Sequence, residues 1–157
     1  MPEWQLLADT QLSLWTVAGR LIAACLLAGV IGFEREHRRH AAGFRTHMLV
    51  ALAAAVYALL MLELIADASP NPERLRVDPT RVLEAVTAGV AFLAAGVIIQ
   101  SRKGPHGLTT AATLWLAGAV GAAAGLGYFA IAGIACGVGV VIILLNKIDP
   151  VIREEDK

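Results

Sequence analysis

Apolar residues in this chain run in long blocks rather than in the alternation of half-buried strands. A hydrocarbon core about 30 Å thick takes about 20 helical residues to cross, and the blocks approach that length repeatedly. Positions 15–33 are interrupted only by Arg20, positions 46–65 carry Glu63 near their end, and positions 82–100 carry Glu84 near their start. The charge-free stretch 108–145 would be about 57 Å long as one helix, at roughly 1.5 Å per residue. It is therefore divided at Gly125-Leu126-Gly127, where two glycines permit a tight turn, into 108–125 and 128–145. The expected fold is all-α: a polytopic membrane protein, a bundle of five transmembrane helices forming one domain over 1–157, with a short polar tail at 146–157.

Composition agrees with that pattern. With 57% hydrophobic and 17% charged residues and a mean hydropathy of +0.67, the chain is too apolar for a soluble domain of 157 residues. The lipid bilayer is its first partner, and a formal net charge of zero gives no electrostatic reason to expect nucleic acid. Cys25 and Cys136 both lie inside apolar blocks and read as small buried hydrophobes rather than a redox pair. The run Ile22-Ala23-Ala24-Cys25 is similar to the pattern around a bacterial lipoprotein cysteine. The residues ahead of it carry Glu3 and Asp9 instead of positive charge, however, and Arg20 breaks the apolar core, so the first helix is expected to stay.

Lysine and arginine in alternate loops bias insertion. One side of the bundle receives Arg35, Arg38, Arg39, Arg45, Arg102, Lys103, Lys147, Arg153 and Lys157; the other receives only Arg74, Arg76 and Arg81. The N-terminus is accordingly expected outside and the C-terminus in the cytoplasm, with GFEREHRRHAAGFRTH (32–47) as a basic cytoplasmic hairpin. His37, His40, His47 and His106 face the same compartment. The arginines between His37 and His40 repel a metal cation, which leaves a solvated basic loop beside anionic lipid as the simpler reading.

An ionisable group at mid-membrane costs about 2.5–3.5 kcal/mol on insertion scales, so each asks for a partner. Arg20 and Glu84 sit at similar depth on helices that both run inward, and an Arg20–Glu84 ion pair is expected to join helix one to helix three, with Glu63 and Arg81 close by. The plainer alternative is that these groups snorkel to the headgroups. Two intramembrane acids hold a hydrated Mg²⁺ only loosely and build no dehydrated path alone, so conduction would need an oligomer. On the cytoplasmic side, Gly43 is expected to allow a bend, Thr46 to cap the following helix and Arg45 to bind Glu34, with His47 just beyond. Gly107, Thr109 and Thr110 mark the start of helix four, either threonine serving the exposed amides there. Gly121-xxx-Gly125 and Gly133-xxx-Gly137 read first as internal helix contacts and second as a dimer face. No Walker loop, dinucleotide fingerprint, Ser-His-Asp set or HExxH is present, so neither an enzyme nor a resident cofactor is expected.

Taken together, RLIAACLLAGVIGFERE (20–36), AGFRTH (42–47), Arg81-Val82 ahead of GVAFLAAG (89–96), and GLTTAATLW (107–115) resemble the MgtC/SapB family of bacterial inner-membrane proteins. The resemblance covers helix one through helix five. It implies a multi-pass inner-membrane domain linked to adaptation to low Mg²⁺ and, for some members, to virulence through survival inside host cells and to restraint of the ATP synthase. The chain departs from the family pattern at Ala91 and Ala94, where glycines are common, so looser or differently spaced contacts are expected around helix three. Many members also carry a cytoplasmic domain after helix five, and the chain resembles a short form without it. The implied function is regulation of a membrane partner by contact, with Glu34, Arg35, Arg45, Thr46 and His47 of the cytoplasmic hairpin as the expected contact surface; the alternative is an oligomeric transporter or channel for Mg²⁺ or another cation.

Overall fold

The computed structural model describes residues 10–68, 78–99 and 107–145. All the regular structure among them is helical: α1 (Leu14–His37), α2 (Phe44–Ala68), α3 (Pro79–Ile99), α4 (Leu108–Leu126) and α5 (Phe129–Leu145). The first four are long and apolar enough to cross a membrane; α5, with 17 residues, is shorter. The protein is thus a polytopic helical membrane protein.

Local chemistry sets the ends of these helices. Ser13 caps α1, its hydroxyl accepting from Thr16 N at 3.2 Å, and Asp78 precedes α3, where Pro79 lacks an amide that would need a partner. The Asp78 carboxylate accepts from the Thr80 hydroxyl at 2.7 Å and the Thr80 amide at 3.0 Å, and these bonds hold it below the usual carboxylate range. α4 ends where the apolar stretch was divided. Gly127 adopts a left-handed φ of 88°, and Tyr128 N reaches back to Ala123 O at 2.8 Å, closing the last turn.

α4 is the central helix. Its buried side runs from Thr110 to Gly125 and is built mostly from alanines and glycines, with Leu114 and Val120 as its larger apolar members and Thr110 and Thr113 as its polar ones. Lipid is as apolar as leucine, so association inside a membrane depends on close van der Waals contact rather than on escape from water. Small residues provide it. A Cβ added to Gly121 would collide with the backbone of Ala51 on α2, and one on Gly125 would lie 2.6 Å from Ala55 O. α1 joins the same trio antiparallel to α2: a Cβ on Gly32 would sit 2.8 Å from Phe44 Cα.

The other two helices are peripheral. Among the described side chains of α3 only Val90 is buried, seated on Gly118 of α4, and Gly89 and Gly96 have nothing within 4 Å of a would-be Cβ. α5 meets α1 through Cys136, whose Sγ donates to Leu27 O at 3.2 Å, and meets α4 where Gly139 faces Leu116. Of the two glycine pairs, Gly121/Gly125 is an internal contact, whereas Gly133 and Gly137 have nothing within 4 Å.

Candidate functional site

α1 carries two buried or half-buried arginines, and they meet opposite ends of α4. The interval from Arg20 to Arg35 equals that from Thr110 to Gly125, about 22 Å of helix at about 1.5 Å per residue. Because α1 and α4 are antiparallel, each arginine falls opposite one end of α4.

At the Gly127 end, Arg20 Nη1 donates to Gly125 O at 2.9 Å. That carbonyl belongs to the last turn of α4, where no intrahelical donor is available and the helix dipole is negative. The cation therefore serves both needs. The expected Arg20–Glu84 ion pair is not formed. α1 and α3 share no contact among the described residues, and Glu84 and Arg81 are exposed on α3, so equal depth placed Arg20 and Glu84 on different sides of the bundle. Glu63 does not join Arg20 either. It accepts from the amides of Gln11 at 2.7 Å and Leu12 at 3.3 Å and so ties the segment ahead of α1 to the end of α2.

At the hairpin end, Arg35 is only 3% exposed and His47 is fully buried, so neither belongs to the solvated contact surface expected of the hairpin: both side chains turn inward to α4. Arg35 Nη2 donates to Thr110 Oγ1 at 3.1 Å, while Nη1 lies 3.8 Å from Glu34, which also pairs with Arg38. His47 Nδ1 lies 2.8 Å from Gly43 O, which can only accept, so the ring proton is assigned to Nδ1. Nε2 lies 3.0 Å from Thr113 Oγ1, and the same hydroxyl lies 2.9 Å from Thr110 O, so its single proton has two acceptors. The result is a buried polar chain from Gly43 through His47, Thr113 and Thr110 to Arg35 and Glu34. It locks the hairpin onto the start of α4.

Several local expectations are corrected here. α2 begins at Phe44, ahead of Thr46, and its first amide is served by Glu36 Oε2 at 2.7 Å rather than by Thr46. Arg45 does not bind Glu34: Arg45 and Thr46 are exposed, and Glu34 is held by its near neighbours Arg35 and Arg38. The sharp reversal of chain falls at Arg39, with φ 55°, rather than at Gly43. Gly43 is needed for space, since a Cβ there would meet Glu36 Oε2 at 2.6 Å. Gly107, with φ 93°, occupies the cap position of α4 without a side-chain bond. Thr109 is exposed, and Thr110 turns inward to Arg35 instead of capping. Lys103 and His106 lie outside the described residues, as do Arg74, Arg76 and the tail from 146.

Thr113 and Glu36 were not singled out by sequence reasoning as site residues. The Thr110/Thr113 spacing was a usable signal, since polar side chains three apart share one face of an apolar helix. Beside the cluster, partial burial and the Arg35 cation lower the His40 imidazole from its ordinary value, with Arg38 adding to this and Glu34 opposing it. Among the described residues no group of three His, Cys, Asp or Glu side chains comes together as a metal centre.

The segments that build this cluster lie inside a longer region that matches a known family. A profile of the MgtC family matches residues 21–151. Protein MgtC of Brucella abortus (strain 2308) is 39% identical over 145 residues, covering 92% of this chain and 53% of that protein. Protein MgtC of Salmonella typhimurium (strain LT2) is 40% identical over 109 residues, covering 69% of this chain and 43% of that protein. The chain thus spans about half the length of the curated relatives it matches. No solved structure matches it. With the family profile covering most of the sequence, hairpin and α4 start included, the chain belongs to the MgtC family.

Proposed function

We propose that this is a bacterial inner-membrane protein that serves adaptation to low magnesium by contact, its hairpin from Glu34 to His47 engaging another membrane protein on the cytoplasmic side. The ATP synthase is the partner that the family resemblance suggests. One observation carries the reading: three polar side chains inside the bundle make helix-to-helix bonds, Arg20 with Gly125, Arg35 with Thr110 and His47 with Thr113, whereas His37, Arg39 and Arg45 remain exposed at the hairpin. Buried polar bonds of this kind fix one arrangement of helices, and the exposed charges are then presented from a rigid base.

Crosslinking from position 39 or 45 in native membranes, grown with and without magnesium limitation, tests this directly. A discrete membrane protein captured under limitation, and lost when Arg39 and Arg45 are neutralised, is the expected result. A reporter fused after residue 40 that is active in the periplasm would overturn it.

A second reading, an oligomeric cation transporter, is favoured by the position of Glu84, an exposed acid on the least packed helix. Ion flux through the purified chain in liposomes, abolished by Glu84→Gln while the protein remains folded, would select this reading over the first.

A further inference from the structure

α1 and α2 leave an apolar groove between them on the outer surface of the bundle. Leu26, Gly29, Val30, Phe33, Phe44 and Met48 line a cavity of about 300 Å³. Phe33 and Phe44 are shared with a second cavity of about 380 Å³, which continues to Glu36 and His37 at the hairpin. The floor depends on Gly29, where a Cβ would lie 3.0 Å from the Phe44 ring. From Leu26 to His37 the groove follows about 16 Å of helix at about 1.5 Å per residue, starting at membrane depth and ending among charges.

Those charges are unbalanced. Glu34 is committed to Arg35 and Arg38, and Glu36 Oε2 to the Phe44 amide. Arg39 and Arg45 are exposed at the same end, with no carboxylate within 4 Å among the described residues. Glu36 and His37 are the ionisable residues that line the cavity itself, and Arg39 and Arg45 lie beside them in the hairpin, two residues beyond His37 and next to Phe44. An apolar slot that opens onto excess positive charge fits an amphiphile with an acyl tail and an anionic head; a free phosphate would use the second half only.

We propose that this groove is a binding site for an anionic diacyl phospholipid, its chain lying over Gly29 between Val30 and Met48 and its phosphate at the Arg39/Arg45 end. The site does not depend on any protein partner, and the same lipid would steady the Arg39 turn.

The test uses the purified full chain in detergent, offered equal amounts of dioleoyl phosphatidylglycerol and dioleoyl phosphatidylcholine, with retained lipid counted by native mass spectrometry. Each arginine near an anionic headgroup favours it about fivefold, so retention of the glycerol lipid over the choline lipid by at least about fivefold is expected. R39Q/R45Q should remove the preference while keeping some lipid. Val30→Trp, at an exposed position, should reduce retention of both lipids, and Leu26→Trp repeats the test if the first variant has a lowered thermal midpoint. Soluble glycerol phosphate should not displace the lipid. Equal retention of the two lipids, an intact preference in R39Q/R45Q, unchanged retention with the groove filled, or displacement by glycerol phosphate each overturns the proposal.

Discussion

The two ends of α4 are both held by an arginine of α1, yet on opposite electrostatic terms. At the Gly127 end the helix presents carbonyls and the negative end of its dipole, so Arg20 suits the site without further help. At the hairpin end the dipole is positive, and Arg35 is a nearly buried cation facing it. Arg35 is tolerated there because Thr110 offers a hydroxyl oxygen and Glu34 a carboxylate. One clamp stands by itself. The other needs a supporting group, and this is where His47, Thr113 and Gly43 have gathered.

This difference orders the consequences of mutation. The largest effect is expected for Glu34→Leu, which strands Arg35 as an uncompensated buried charge and should cost about 3 kcal/mol. Equilibrium unfolding in mixed micelles measures it; a loss no greater than that of Arg20→Met would show that the two clamps do not differ as described. Thr110→Val comes next, at about 2 kcal/mol, because it removes the hydrogen-bond acceptor of a charged donor. In a double-mutant cycle with Arg35→Met, the two substitutions should be less than additive. Arg20→Met should cost about 1 kcal/mol, the loss of one hydrogen bond with no buried charge left behind. Gly127→Ala should cost a similar amount, about 1 kcal/mol, through its left-handed backbone, and the new methyl would also press on Arg20 Nη2, 2.9 Å from its position.

The smallest effect is a titration. Glu34 opposes the depression of His40, so Glu34→Gln should move the His40 midpoint, followed by NMR, further below the ordinary histidine value. A folded-state value below the unfolded one means that the native state favours the neutral ring. The small contribution of His40 to stability is therefore present above the unfolded pKa and is lost as pH falls through the lowered one. A midpoint that rises in Glu34→Gln would contradict the assigned neighbours.

Particular residues show how far the sequence could be read. The division at Gly125-Leu126-Gly127 was visible because a helix turn needing a left-handed residue leaves a glycine behind, and Gly127 is that residue. Gly121 and Gly125 were visible as contact residues for a similar reason, although nothing local said that Ala51 and Ala55 would be opposite. Arg20 was correctly singled out as costly, then given the wrong partner. Depth in the membrane follows from counting residues along a helix, but azimuth around the bundle does not. Thr46 and Arg45 were credited with bonds that Glu36 and Arg38 make instead, since a carboxylate from the preceding helix can reach the first amide of α2 across the hairpin.

By itself, then, the sequence determined that the chain is a bundle of membrane helices and where those helices break, and it marked Arg20 as a group that needs a partner inside the bundle. The cost of exposing backbone and charge to lipid acts on each segment separately, so it is legible residue by residue. Only the tertiary structure decided which partner each group found: Gly125 for Arg20, Thr110 for Arg35, Thr113 for His47. Those choices depend on which helices become neighbours, and in an apolar solvent that is settled by the fit of small residues between facing backbones rather than by any one-residue preference.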